Sequence, residues 1–418
     1  MLSDKAIERI VERIQQANDY ILETIGASVK KIGTLSPSKA QQLVQILKYG
    51  GDYEKIAKKL AQVTELNVKD IKNIFKEVAK NDYFFAENFY KHRGKEFIPF
   101  EKNVALNSQL EALTGIAVDN YLNLTKTSSV GFGWIDKNGT VTFKGLRQTY
   151  YDLLDEAVLS VGQGKETFDS AMYRQLKQIG GGGIKVIFPS TYISKDENGN
   201  EIIKNRVMRA DSAIRMQMNS ALRDMHREQQ RIMGEQFDAD GVEISVHMNP
   251  APDHALVQGR QFSKKEFEKF QDDDDAKDVT GRLFPAIADE TGRDRRSIGE
   301  YNCYHYVFSI VLGISKPRYT EEQLQEIIDK NNETFKFDGK TYTMYEGTQL
   351  QRQIETEIRR QKDSQILGKA SDNKLLIAKS QQKITQLTQK YKELSEISGL
   401  KTKMQRMRVS GYKRTKAK

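Results

Sequence analysis

His247, His254, Cys303 and His305 are the side chains of this 418-residue chain whose types and spacing point most directly to chemistry. They fall in two stretches, GVEISVHMNPAPDHALVQGRQFS from Gly241 and IGEYNCYHYVFSIVLGISKP from Ile298, which hold three of the five histidines and the only cysteine. Val242 to Met248 alternates apolar and polar residues and reads as a half-buried strand, after which Pro250 and Pro252 force an extended turn carrying His254. On a second strand, Cys303 and His305 project to the same side with Tyr304 turned away. One thiolate and three imidazoles are the ligand types and number for a tetrahedral structural Zn2+ site pinning the two stretches together. The plain alternative is a small buried thiol beside hydrogen-bonded core histidines. A Cys303–His305 nucleophile pair is disfavoured, because residues two apart on a strand lie about 6–7 Å apart, beyond direct proton transfer. Gly-x-Ser-x-Gly, His-Glu-x-x-His and dinucleotide fingerprints are absent.

Further motifs surround these stretches in a fixed order. They are Val207-Met-Arg-Ala-Asp-Ser-Ala-Ile-Arg215, Glu243-Ile-Ser-Val-His247, His254-Ala with Gln258-Gly259, and Asn302-Cys303-x-His305. A helix then carries Thr348-Gln-Leu-Gln-Arg352, Glu355 and Ile358-Arg359. Over roughly residues 200 to 370, and hardly in the first hundred, this order resembles the phage minor capsid protein 2 family of tailed-phage head proteins. The signature positions are Arg209, Asp211, Ser212, Arg215, Gln258, Gly259, Asn302, Arg352, Glu355 and Arg359. The chain departs from the family at Ala251 and Tyr304, where arginine is usual. The resemblance implies a non-enzymatic minor head protein, made in the host bacterial cytoplasm and resident in the virion, in the head interior or at the portal vertex. Its implied partners are the portal, the major capsid protein and packaged double-stranded DNA. The rival reading is a virion-delivered effector, a nuclease or transferase using His247, His254 and His305 with Glu243. A host-encoded nucleic-acid adaptor fits the charge but not the ordered motifs.

Composition narrows the class. An apolar fraction of 38% and a mean hydropathy of −0.65 suit long exposed helices better than one compact enzyme. The longest apolar run, Val307 to Ile314, is far short of the ~20 residues of a bilayer span, so no membrane association is expected. A single cysteine excludes an internal disulfide. From Arg352 to Lys418 there are 18 Lys/Arg against 6 Asp/Glu, so the net +9 of the chain belongs to its C-terminus. The last twenty residues contain Lys401, Lys403, Arg406, Arg408, Lys413, Arg414, Lys416 and Lys418 and no acid. Such a run is expected to stay unpaired and to seek DNA phosphates, or else to be a solvated tail.

The elements follow from periodicity, and the fold class is α+β. A helical N-terminal domain spans 1–100, with Ile7, Ile10, Val11, Ile14 and Ile21 on one face of its first helix. Leu43, Val44 and Leu47 mark a second helix, and the spacing from Ile56 to Val78 marks more. A helix–hairpin–helix segment covers 101–180, its turn signalled by Asn138-Gly139 and its second helix running from Leu146 to Val161. Gly180 to Gly183 reads as a flexible joint. A mixed domain of short antiparallel strands spans 181–345; in it Asp211 caps a polar helix with Arg215, Asn219 and Arg223 on one face. The helical, basic C-terminus, 346–418, carries a heptad seam of Ile377, Ile384 and Tyr391 with Leu387 and Leu394, open to self-association or to packing on its own domain.

Overall fold

The computed structural model describes residues 2–33, 52–125, 130–135, 141–145, 184–195, 201–272, 274–286, 296–299 and 303–413, with scattered positions between 170 and 177. The expected helices at Leu43–Leu47 and Leu146–Val161, and the four glycines from Gly180, lie outside the described residues.

The fold is α+β. Helix α1 (Leu2–Gly33) buries its predicted stripe: Ile7, Ile10, Val11, Ile14 and Ile21 are each at most 5% exposed. It packs on α2 (Asp52–Phe85), which continues through the short α3 (Glu87–His92) to α4 (Val104–Thr125). Of the aromatic residues at the end of α2 and in α3, Tyr83 and Tyr90 are buried against Phe97, Phe100 and Phe237, whereas Phe84 and Phe85 face outward. Strands β1 (Val130–Ile135) and β2 (Val141–Gly145) form the expected hairpin, with Ile135 opposite Val141. β1 also pairs with β3 (Ile184–Lys195), which pairs with β4 (Glu201–Arg209), giving one antiparallel sheet in the order β2-β1-β3-β4. Strands from both sides of position 180 are therefore hydrogen-bonded to each other.

Helix α5 (Ala210–Gln236) follows β4 without a break. Asp211 does not cap it: Arg209 is the N-cap, and the Asp211 carboxylate accepts from the Arg209 guanidinium instead. Strand β5 (Gly241–Ile244), the short helix α6 (Pro252–Ala255), β6 (Gln261–Ser263) and α7 (Lys264–Gln271) come next. Residues 274–286 contain a small antiparallel pair, β7 (Ala276–Lys277) and β8 (Leu283–Phe284). Strand β9 (Val307–Ile310) completes a three-stranded antiparallel sheet in the order β6-β5-β9.

Helix α8 (Glu321–Asn332) opens on a capping box made by Thr320 and Gln323. The hairpin β10 (Thr334–Phe337) and β11 (Lys340–Thr343) leads into α9 (Met344–Ser371). The C-terminus is not one helix: the left-handed backbone of Asp372 separates α9 from α10 (Lys374–Ser398), and the two pack on each other. The heptad seam is internal, with Ile384, Tyr391 and Leu394 buried, and Tyr391 and Leu394 share a core with Phe335, Phe337 and Ile358. Gly26 of α1 sits so close to α9 that a Cβ there would lie 2.5 Å from the Ala370 methyl carbon.

The segment after α10 straps back over the body. Leu400, Met407 and Val409 are buried, the Arg408 carbonyl accepts from Gln15 at 3.2 Å, and Gly411 N donates to Asp19 at 2.6 Å. Asp19 is buried, which pushes its carboxyl up to about 7 against the opposing Gly411 hydrogen bond. The folded-state value lies above the unfolded one, so this group's contribution to the stability of the fold is fully present below the unfolded value of about 3.9 and is lost as pH rises through about 7, because burial and not the strap contact sets the shift. Replacing Asp19 by asparagine is expected to flatten the fall in stability across that window, by at most about 1.4 kcal/mol per pH unit, read as urea midpoints. Equal slopes in both proteins would assign the titration to another group.

Candidate functional site

The sheet around β5 explains how two distant stretches meet. Ile244, the last residue of β5, pairs with Val307, the first of β9, so chain leaving one strand and chain entering the other share one end of the sheet. Ser245 N donates to the Tyr306 carbonyl there at 2.8 Å. β5 is shorter than the alternation predicts because the next amides find side chains: His247 N donates to Gln258 Oε1 at 3.1 Å and Asn249 N to Asn331 Oδ1 at 2.9 Å. Cys303 to His305 likewise precede β9 and are not a strand. The strand spacing is corrected accordingly: Cys303 Sγ lies 3.4 Å from His305 Nδ1 and 3.6 Å from His254 Nδ1.

The outer ring nitrogens fix the state of the inner ones. His254 Nε2 lies 2.8 Å from the Arg296 carbonyl, which only accepts, so this nitrogen carries the proton. Gln258 Oε1 already accepts from His247 N, which sets the amide orientation and makes His305 Nε2, 3.3 Å away, a donor as well. With both rings neutral, each Nδ1 presents a lone pair to one sulfur. A thiol has a single proton and serves one of them. Burial opposes a charge on His254, but the Cys303 hydrogen bond and charge raise it above its usual range, which without a metal favours an imidazolium–thiolate pair. A metal ion could serve all three groups, whose ligand atoms lie within 4.8 Å of one another in a buried setting. With ordinary zinc bond lengths the S···N edge of a tetrahedron is about 3.6 Å, and the two observed separations are 3.4 and 3.6 Å. Burial opposes the Cys303 thiolate, but the His254 hydrogen bond and charge outweigh it and the thiol is pulled below its usual range. Burial, with His247 and His254 beside it, pushes His305 down to about 2, which keeps the imidazole neutral.

His247, the fourth predicted ligand, is adjacent but not convergent. Its ring packs 4.3 Å from that of His305, while its Nδ1 faces the Met248 carbonyl at 3.2 Å. Together with His254, Cys303, Tyr304 and Arg352 it lines a cavity of about 340 Å³. Glu243, assigned to the effector reading, is elsewhere. It is buried on β5, accepts from Gln261 at 2.8 Å, pairs with Arg318 at 3.0 Å, and faces a different cavity. An enzyme built on these histidines has no Glu243 to use.

The signature residues have separate duties. Arg209 bridges Asp211 (3.1 Å) and Asp363, and all three are buried. Gln15 and Asn18 of α1 donate to the same two carboxylates, so the network joins α1, β4, α5 and α9. Burial opposes the Asp211 charge, yet Arg209 and Arg359 hold its carboxyl far below the usual carboxylate range. Arg359 reaches Ser212 Oγ at 3.0 Å; Arg215 forks onto Glu8 at 3.1 and 2.8 Å. Gln258 orients His305, and Glu355 accepts from the Tyr391 hydroxyl at 2.8 Å. Gly259 has φ +74°, and a Cβ there would meet Leu324 at 2.4 Å. Asn302 lies outside the described residues. Sequence reasoning missed Asp363, Asp19 and the buried Arg260, which bonds Asp278 at 2.8 Å and Glu321 at 2.9 Å. Each is one charge among many on a polar segment, with no local signal of burial.

The basic tail is not the free run expected. Arg408 meets Glu12 at 3.6 Å, the Arg406 carbonyl accepts from Arg359, and Lys403 N donates to the Tyr391 hydroxyl. Lys401, Arg408 and Lys413 face outward, Lys403 and Arg406 are half-buried, and Arg414, Lys416 and Lys418 lie outside the described residues.

Fold and site together define a helix-framed α+β protein in which buried polar clusters tie distant segments to one another. The family model described as Phage minor capsid protein 2 matches residues 3–396, and the chain belongs to that family of structural phage head proteins. The match reaches well beyond 200–370 and takes in the N-terminal helices. Membership sets the protein in a phage particle among other head components. No curated protein and no solved structure matches the chain. Among the described residues no helix is long and apolar enough to cross a membrane.

Proposed function

We propose that this minor head protein sits at the portal vertex or on the head interior, contacts the portal or major capsid protein, and lays its basic C-terminal face against packaged double-stranded DNA. The observation that carries the DNA contact is the strap: residues 399–413 are anchored on α1, α9 and α10, which holds Lys401, Arg408 and Lys413 exposed at fixed positions, Arg408 beside Glu12. A fixed array of cations neutralises phosphates without the ordering cost of a loose tail. In this reading the Cys303, His254 and His305 cluster holds a structural zinc ion that braces the frame.

Deleting Gly399 to Lys418 would strip Leu400, Met407 and Val409 from the core, so the informative variant is the triple glutamine replacement of Lys401, Arg408 and Lys413. It is expected to fold, to enter particles, and to weaken duplex DNA binding with a shallower dependence on salt. Unchanged affinity and salt slope would remove the DNA contact. Cross-linking in purified particles that reaches neither portal nor major capsid protein would remove the placement.

The second reading, a thiol-dependent effector, is favoured by one observation: His254 Nδ1 faces Cys303 while the Arg296 carbonyl fixes its other nitrogen.

A further inference from the structure

We propose that the pocket between α1, α5, α9 and the strap is a phosphate-binding site, taking a phosphate oxyanion carried either by DNA or by a small phosphorylated molecule. The cavity is about 740 Å³, and six cationic side chains line it: Arg215, Arg223, Arg352, Arg359, Lys403 and Arg406. The predicted face of Arg215, Asn219 and Arg223 is thus a wall of this pocket and not a solvated surface.

The charges do not balance. Arg215 is answered by Glu8, and Arg359 lies 3.9 Å from Asp211. Glu355 is the remaining acid on the lining; it is buried on the Tyr391 hydroxyl, and burial raises its carboxyl, which favours the neutral form. Among the described residues, Arg223, Arg352, Lys403 and Arg406 have no carboxylate within ion-pair distance.

Arg223 is the most telling of the four. It is 6% exposed, and among the described residues its Nε has no hydrogen-bond partner and its one side-chain bond is to Ser220 Oγ at 3.1 Å. The face of Tyr304 lies 5.2 Å from its guanidinium carbon, with Arg352 6.0 Å from the same ring. Asp224, next to Arg223 in sequence, interacts at longer range but makes no ion pair with it. A buried guanidinium without a close carboxylate is costly, and an anion in the cavity reduces that cost. Guanidiniums arriving from α5, α9 and the strap suit an anion whose oxygens point several ways, as those of phosphate do and those of a planar carboxylate do not. The cavity is much larger than one phosphate, which leaves room for the molecule that carries it.

The test uses the full chain, with calorimetry for inorganic pyrophosphate and fluorescence anisotropy for a short DNA duplex. Arg223→Gln and Arg352→Gln are compared with Lys340→Gln, an exposed lysine of β11 outside the pocket lining and the strap. Pyrophosphate binding is expected in the wild type and about tenfold weaker in each pocket variant, with Lys340→Gln unchanged. The half-buried Arg406→Gln serves as a further pocket variant should Arg223→Gln misfold, with thermal midpoints as the folding control. Loss of duplex binding in the same variants names DNA as the source; intact duplex binding with pyrophosphate lost names a small phosphorylated molecule. The DNA arm rests on the proposed DNA contact, whereas the pyrophosphate arm stands without it. No pyrophosphate binding, or equal binding in wild type and pocket variants, overturns the site, and an acidic protein segment then becomes the better occupant.

Discussion

Replacing Arg209 by alanine is expected to destabilise the protein by about 3–5 kcal/mol, the cost of leaving buried carboxylates without their cation. Asp211 is 3% exposed and Asp363 fully buried, and both face Arg209. Arg359, 3.9 Å from Asp211, cannot serve Asp363 as well while it holds Ser212 and the Arg406 carbonyl. Arg209 to lysine keeps the charge but not the fork, and should lose an intermediate amount. The informative partner is the double variant Arg209→Met with Asp363→Leu, which removes both ends of one pair. It should recover much of the loss, because a buried ion pair contributes little beyond what apolar packing supplies. Urea midpoints and limited proteolysis read the result. Since the network joins the first helix to α5 and α9, earlier cleavage within α1 should accompany the single variant. A single variant as stable as wild type would mean that the network is solvated in solution and does not hold the segments together.

What the sequence makes legible is local. The α1 stripe, the capping box at Thr320 and the hairpin at Asp338-Gly339, where both residues adopt positive φ, are each encoded within a few residues. The gathering of His254, Cys303 and His305 was signalled by residue type, but its geometry was not. A strand reading separates Cys303 from His305, and only the irregular backbone before β9 folds the thiol back onto the ring. The Arg209–Asp363 bridge spans 154 positions, and Asp363 sits on a helix rich in charges, where nothing nearby marks it as the buried one. The strap is similar. Eight cations and no acid read as an unpaired run that seeks phosphate or as a solvated tail, and the apolar residues that dock it, Leu400, Met407 and Val409, are too sparse to form a pattern.

Purified protein, dialysed against metal-free buffer, is expected to retain about one zinc ion per chain, and chelation should then lower its thermal midpoint. A ligand present a thousandfold above its dissociation constant stabilises by about 4 kcal/mol, enough to dominate the local stability of the sheet end around Ile244 and Val307. Cys303→Ser, His254→Ala and His305→Ala should each abolish stoichiometric zinc. His247→Ala should keep most of it, because the Nδ1 of that ring is directed at the Met248 carbonyl. Gln258→Ala should weaken zinc without removing a ligand, since Gln258 fixes the His305 tautomer and outer-shell groups of this kind contribute about 10–100-fold to affinity. The same cysteine separates bracing from catalysis. A thiolate held by zinc and two imidazoles resists alkylation until a chelator is added, whereas a thiolate activated by His254 alone reacts at once with iodoacetamide. Rapid labelling of Cys303 in freshly purified protein containing only traces of zinc would discard the brace and favour the effector reading. Slow labelling that chelation accelerates, together with failed head assembly of Cys303→Ser, would establish that the cluster holds two segments of a head protein together.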